Sequence, residues 1–203
     1  MDAYTVVRNF ERAMMKFTGA PCAISFESCS AALFLSCLYC RVKDIDEVII
    51  PKLTYPSAPA SVINAGGRVV FEEINWQDSG YYRLGNTPIV DAAKHLSKGM
   101  YIRGHFMCLS FHGKKILPIG RGGMILTDDK KARDWLKIAR FDGRHEQALS
   151  TDILAMAGWN MYMTPEQAAR GLELLQWLPD RNVDPPDAYQ DLSKYDFYTK
   201  ANR

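Results

Sequence analysis

The sequence predicts an α/β domain with a mostly parallel sheet. Three observations carry that expectation. Short apolar runs of strand length alternate with stretches whose apolar residues recur at helical spacing. Breakers such as Thr18-Gly19, Pro51 and Gly66-Gly67 separate these runs. The 203 residues are 47% hydrophobic, enough for one sizeable core, and no internal repeat divides them.

Each element has its own signal. Val6, Val7, Phe10, Met14 and Phe17 give residues 3–18 the apolar face of a helix. "CAISF" at 22–26 reads as a short buried strand. "SCSAALFLSCLY" opens on serines, which are good N-caps, and reads as a helix. "DEVIIP" is a strand closed by Pro51, "SAPASVINAGG" a helix ended by glycines, and "RVVFEEI" the next strand. Residues 75–86 are polar and read as a loop. "TPIVD" at 87–91 is a strand ending in an aspartate. "HFMCLSF" and "GGMILTD" are further strands, "DKKARDWLKIARF" is a helix, and 142–163 reads as irregular. Thr164, Pro165 and Glu166 start a last long helix. Residues 1–178 are therefore expected to form one domain. Residues 179–203 form a proline-rich tail, disordered or draped over a surface.

Composition narrows the function classes. Charged residues make up 24% of the chain and the net charge is +2, which gives no reason to propose nucleic acid or an acidic membrane as partner. No apolar run reaches the roughly 20 residues of a spanning helix. The start, "MDAYTVVRNFERAMM", lacks the apolar core of a signal peptide, so the protein is read as cytoplasmic. The five cysteines, Cys22, Cys29, Cys37, Cys40 and Cys108, are odd in number and argue against a disulfide framework. Cys37 and Cys40 sit in an apolar helical stretch with no second ligand pair, so they read as small buried side chains, not a zinc site.

In α/β sheets ligands gather at the carboxyl ends of strands. Residues 28–31, Tyr55, Asp91 and 110–115 each follow a predicted strand. The serine-rich helix start at 28–31 either caps the helix or receives an anion such as phosphate. Tyr55 either stacks on a flat ring or joins the core. Asp91 is followed by Ala92 and Ala93, which offer it no side-chain partner. It either caps a helix or meets a cation such as a protonated ring nitrogen. In "LSFHGKKILPIGRGG" two lysines precede a glycine-rich turn. They are either solvated turn residues, or one of them forms a Schiff base with a carbonyl cofactor.

Six segments together resemble the DegT-type nucleotide-sugar aminotransferases, a branch of the fold-type-I pyridoxal 5′-phosphate (PLP) enzymes. In order they are "SCSAAL", "DEVIIPKLTY", "VDAAK", "SFHGKK", "GRGGMILTDD" and "GWNMYMTPEQAARGLELLQWL". The likeness runs from about Phe10 to Leu178. It implies a three-layer sandwich around a mostly parallel sheet, the large PLP-binding domain of that fold. It implies that Lys115, not Lys114, carries PLP, and that Asp91 pairs with the pyridine nitrogen. It implies that Ser110, Ser30 and the backbone around Ala31 contact the phosphate, and that Tyr55 stacks on the ring. Lys94 stands where the family carries Gln or His, beside the cofactor's phenolic oxygen. Asn160 aligns with a residue that reaches the phosphate of a neighbouring subunit, so a homodimer with shared active sites is implied. Arg121 stands where the family has a glutamate. Family members are longer and continue into a C-terminal domain. The implied activity is transfer of an amino group from glutamate to a nucleotide-linked keto-sugar. Two alternatives stand beside it: a non-catalytic PLP-fold domain that binds PLP or a partner subunit, and a PLP enzyme of another reaction type.

Overall fold

Side-chain alternation along the strands decides the layers. In β1 (Cys22–Phe26), Cys22, Ile24 and Phe26 face one apolar cluster and Ala23 faces another. The same alternation holds in β5 (Ile89–Asp91), β6 (Phe106–Ser110) and β7 (Gly123–Thr127). A sheet apolar on both faces needs cover on both faces. The computed structural model, which describes residues 4–183 and 188–199, shows that cover. Helices α1 (Thr5–Thr18) and α5 (Pro165–Leu175) pack together on one face. Helices α2 (Cys29–Tyr39) and α4 (Lys130–Ala139) pack on the other, with α3 (Ser57–Asn64) against α2. The result is the expected three-layer α/β sandwich.

The sheet is not mostly parallel, and this corrects the sequence reading. Its order is β1-β7-β6-β5-β4, where β4 is Tyr82–Arg83. Only β5 and β6 pair in parallel; β1–β7, β7–β6 and β4–β5 are antiparallel. The parallel pair β2 (Val48–Pro51) and β3 (Val69–Glu72) forms a separate small sheet. The physical reason lies in the glycine turn. Parallel neighbours need a long crossover, whereas the chain between β6 and β7 closes on itself where the Phe111 N–H donates to the Gly122 carbonyl at 2.9 Å and the Gly120 N–H to the Phe111 carbonyl at 3.2 Å. So β7 returns antiparallel and inserts between β1 and β6. Strands β1, β5 and β6 still share one direction, and their carboxyl ends share one edge.

Strand β4 lies inside the stretch read as a loop. Two residues show no periodicity, and the pairing partner, Val90 and Asp91, supplies the order. The irregular reading of 142–163 holds apart from one 3-10 turn, Leu149–Thr151. Of the 179–203 segment, 184–187 and 200–203 lie outside the described residues. The rest is draped: Leu192 is buried, its N–H donates to the Lys52 carbonyl at 3.0 Å, and Asp191 bridges Leu53. Helix α6 (Asp196–Thr199) packs on α3 and β3. All five cysteines are unpaired, and burial pushes the Cys40 thiol up to about 12. No described helix is long and apolar enough to cross a membrane.

A buried ionic cluster joins the layers. Arg140 is 1% exposed. Its Nη1 donates to Glu11 Oε1 at 2.6 Å and to the Ser25 carbonyl. Its Nη2 donates to Glu146 Oε1 at 3.0 Å, and Arg8 reaches the other oxygen of Glu146 at 3.0 Å. Glu11 Oε1 also accepts from the Ser25 N–H at 2.9 Å and Oγ at 3.0 Å. Burial alone would push the Glu11 carboxyl up. The Arg140 guanidinium, Lys137 and the Ser25 amide outweigh it and hold Glu11 below its ordinary value.

Two stability changes are expected. Arg140→Met removes the closest cation from buried Glu11 and leaves it only the more distant Lys137, so urea unfolding at pH 7 should show a loss of about 3 kcal/mol. A lowered folded-state pKa stabilises above the unfolded value and loses that contribution as pH falls through the folded one. The gap between wild type and variant should therefore shrink as pH drops below the ordinary carboxylate range. The second change concerns Gly123, where a Cβ would lie 2.3 Å from the Ser28 carbonyl carbon and 2.4 Å from the Cys29 nitrogen. Gly123→Ala should cost about 3 kcal/mol by thermal or urea unfolding, because backbone must move.

Candidate active site

The carboxyl ends of β1, β5 and β6 open on one cleft of about 1490 Å³. Ser30, Ala31, Tyr55, Asp91, Lys94, Ser110 and Lys115 all line it. Asn160 does not. It is exposed, and its Nδ2 donates to Asp142 Oδ2 at 3.0 Å, while its neighbours Trp159 and Met161 reach the cleft wall.

The start of α2 forms one side. Ser28 is the N-cap, and its Oγ accepts from the Ala31 N–H at 3.1 Å. The cap thus occupies the Ala31 amide. The Cys29 and Ser30 amides, in the first turn, have no intrahelical acceptor by helix geometry. Ser30 is exposed and Ala31 buried. Gly123 lets β7 press against this helix start, as its missing Cβ requires.

Asp91 closes β5 and is 6% exposed. Its Oδ1 accepts from the Ala93 N–H at 3.0 Å, and its Oδ2 accepts from the Tyr82 hydroxyl at 2.9 Å. No helix follows it, so the capping alternative drops away. Burial pushes its carboxyl up, against the opposing pull of the Ala93 amide, the Tyr82 hydroxyl and Lys115. Burial, and then Asp91 itself, push the Tyr82 phenol well up.

The loop after β6 presents the lysines. The Lys115 N–H donates to the His112 carbonyl at 2.9 Å, closing a turn. The Lys114 N–H meets His112 Nδ1 at 3.3 Å, so His112 braces the turn from inside. Phe111 and Gly122 then pair at 2.9 Å. Gly120 and Gly122 adopt positive φ of 112° and 157°, which side chains resist. Lys114 is exposed and Lys115 half-buried. Only Lys115 acts electrostatically on both Asp91 and Cys29. The solvated-turn reading therefore suits Lys114 and not Lys115.

The other walls are aromatic. Tyr55 is 60% exposed, which removes its core alternative. Lys94 is 4% exposed, with its Nζ 5.5 Å from the Trp76 ring centre and 5.9 Å from that of Tyr189. Thr54, Trp76 and Tyr189 also line the cleft, and local sequence pattern assigns no site role to any of them. One signal was present for Trp76 and Tyr82: three aromatics, Trp76, Tyr81 and Tyr82, within a stretch otherwise polar. The site thus joins a helix start suited to an anion, a desolvated carboxylate suited to a cation, and a lysine amine on the same cleft.

Comparison with known proteins identifies the family and the fold. A sequence model of the DegT/DnrJ/EryC1/StrS aminotransferase family matches residues 1–80 and 93–193, which leaves Asp91 and β4 in an unmatched stretch. The chain is 26% identical to the spore coat polysaccharide biosynthesis protein SpsC of Bacillus subtilis, over 86% of this chain and 57% of that one. It is 26% identical to the GDP-perosamine synthase of Caulobacter vibrioides, over 82% and 55%. The fold superposes on Spr1654 of Streptococcus pneumoniae in its PLP form with a TM-score of 0.66, at 18% identity, covering 86% of this chain and 59% of that one. The chain therefore spans little more than half the length of the curated relatives it matches. With the family match covering most of its residues, this chain belongs to the DegT/DnrJ/EryC1/StrS aminotransferase family.

Proposed function

We propose that the chain binds PLP in this cleft and moves an amino group from glutamate to a keto-sugar linked to a nucleotide. One observation carries the reading. Asp91 is a buried carboxylate that lines the cleft, and its two oxygens accept hydrogen bonds from neutral donors, the Ala93 amide and the Tyr82 phenol. A desolvated carboxylate of that kind fits a cationic ring nitrogen. The α2 start and Ser110 at the same cleft fit a phosphate. The donor set thus suits the cofactor. Membership of the family and the likeness to a GDP-perosamine synthase support the substrate class.

In this reading Asp91 would hold the protonated ring nitrogen. Ser110, Ser30 and the first-turn amides of α2 around Ala31 would hold the phosphate. Tyr55 would cover the ring face, and Lys94 would lie near its phenolic oxygen. Lys115 would anchor the cofactor covalently. PLP, when bound, supplies an electron sink for charge developing at the amino-bearing carbon. As a neutral amine, Lys115 Nζ would act as the general base that takes the proton from the amino-bearing carbon of the donor. The Trp76, Tyr189 and Trp159 walls exclude water from that transfer.

The same reading takes the protein as a cytoplasmic homodimer, with residues 1–178 as the PLP-binding domain. Two features support pairing. Asn160 lies outside its own chain's cleft. The neighbouring loop exposes Leu149, Ile153 and Leu154, an apolar patch of the kind that marks interfaces. Light scattering should give twice the chain mass.

The central test is spectroscopic. Purified protein with PLP should gain a visible absorbance band, and borohydride should fix the cofactor to the peptide carrying Lys115. Lys115→Ala should abolish the band and Lys114→Ala should keep it. Glutamate should then bleach it. A band that glutamate leaves unchanged gives the PLP-binding domain without transaminase activity. No band at all overturns the reading. Asp91→Asn should lose the cofactor and yet raise the urea midpoint of the cofactor-free chain near pH 8. The reason is the sign of the shift: a raised carboxyl pKa means the buried charge costs stability as pH rises.

A further inference from the structure

Asp91 is a cleft carboxylate held by a chain of buried hydroxyls. Tyr82 Oη donates to Asp91 Oδ2 at 2.9 Å, and Thr54 Oγ1 lies 2.6 Å from the same Oη. A phenol has one proton. With that proton committed to Asp91, Thr54 must be the donor in the second bond. Thr54 is 1% exposed and Tyr82 5% exposed, so water does not compete with either bond. Trp76 packs on the Tyr82 ring at 5.0 Å between ring centres and fixes its plane. The antiparallel pairing of Tyr82 with Asp91 sets the distance between phenol and carboxylate. Both residues lie in the stretch 81–92, which the family model leaves unmatched.

We propose that Tyr82, backed by Thr54, is a positioning residue that keeps the Asp91 carboxylate ionised and aimed at a cation in the cleft. The inference rests on the PLP reading only where it identifies that cation as the ring nitrogen. The physical basis is the strength of a hydrogen bond to a charged acceptor in a dry site. A donated phenolic proton stabilises the carboxylate and has little to offer the neutral acid's carbonyl in comparison. It also pins the plane of the carboxyl group, because Oδ1 is held by the Ala93 amide from the other side. The groups facing Asp91 from the elements around it are Tyr82 of β4, Cys29 of α2, Cys108 of β6 and Lys115 of the following loop. Burial keeps both thiols protonated, so the Ala93 amide, Tyr82 and Lys115 are the groups that favour the charged carboxylate.

The test separates this inference from the PLP reading. Carbon-13 NMR of the aspartate carboxyls in the full, cofactor-free chain gives the Asp91 titration midpoint, assigned by Asp91→Asn. Tyr82→Phe keeps the ring and its packing on Trp76 and removes only the donor. It should raise the proton affinity of Asp91 by about ten-fold or more. Thr54→Val should raise it less and in the same direction, since it weakens the phenol's donation. With PLP as probe, Tyr82→Phe should weaken binding by about ten-fold, measured by absorbance titration. A Tyr82→Phe midpoint equal to wild type overturns the positioning role, even if PLP binds. A moved midpoint in a chain that takes up no PLP keeps the role and overturns the cofactor reading instead. A loss of stability with an unmoved midpoint assigns Tyr82 to packing alone and equally overturns the proposal.

Discussion

The guanidinium of Arg140 is the constraint on which the layers depend. Desolvating a charge of that size is prohibitive unless opposite charge and acceptors surround it. Glu11 comes from α1, Ser25 from β1 and Glu146 from the loop after α4. None of these meets the others through sequence proximity, so the charge can be buried only when the layers are in register. The backbone repeats the message. The Met161 N–H donates to the Arg140 carbonyl at 2.9 Å, and the Glu27 N–H donates to the Met161 carbonyl at 2.9 Å. The cluster therefore also fixes the loop that supplies Trp159 and Met161 to the cleft.

Two buried carboxylates make a contrast that organises the molecule. Glu11 is matched by a cation inside the chain and sits below its ordinary pKa. Asp91 faces a cleft, is bonded to neutral donors, and sits above it. The first is a structural charge whose partner is built in. The second has no built-in partner of full opposite charge bonded to it, and the proposed reading matches it to a cation in the cleft. Natural sites commonly carry such a cost in stability where binding needs it.

Much of this was legible in the residues. Val7, Phe10 and Met14 spaced α1, the serine cap placed α2, and Thr164-Pro165 opened α5, because local patterning matched tertiary demand. Cleft residues Ser30, Tyr55, Asp91, Ser110 and Lys115 were legible because each follows a strand whose end lies on the common edge. What could not be read had non-local causes. The direction of β7 depends on a turn that closes through Phe111, Gly120 and Gly122, and parallel or antiparallel return leaves the same apolar run in either case. Strand β4 exists because Val90 and Asp91 pair with it. Tyr189 reaches Trp76 from a segment whose composition is that of a tail.

The draped segment at 188–199 has a consequence for folding order. The sheet and its helices bury their apolar faces without it, whereas the aromatic wall of the cleft needs Tyr189 and Leu192 against Trp76 and Lys52. Those partners are far apart along the polypeptide, and closing so long a loop is entropically slow compared with local pairing. The scaffold can therefore consolidate while the cleft is still one wall short. Local opening of that wall is correspondingly cheaper than opening the core and leaves the three layers intact.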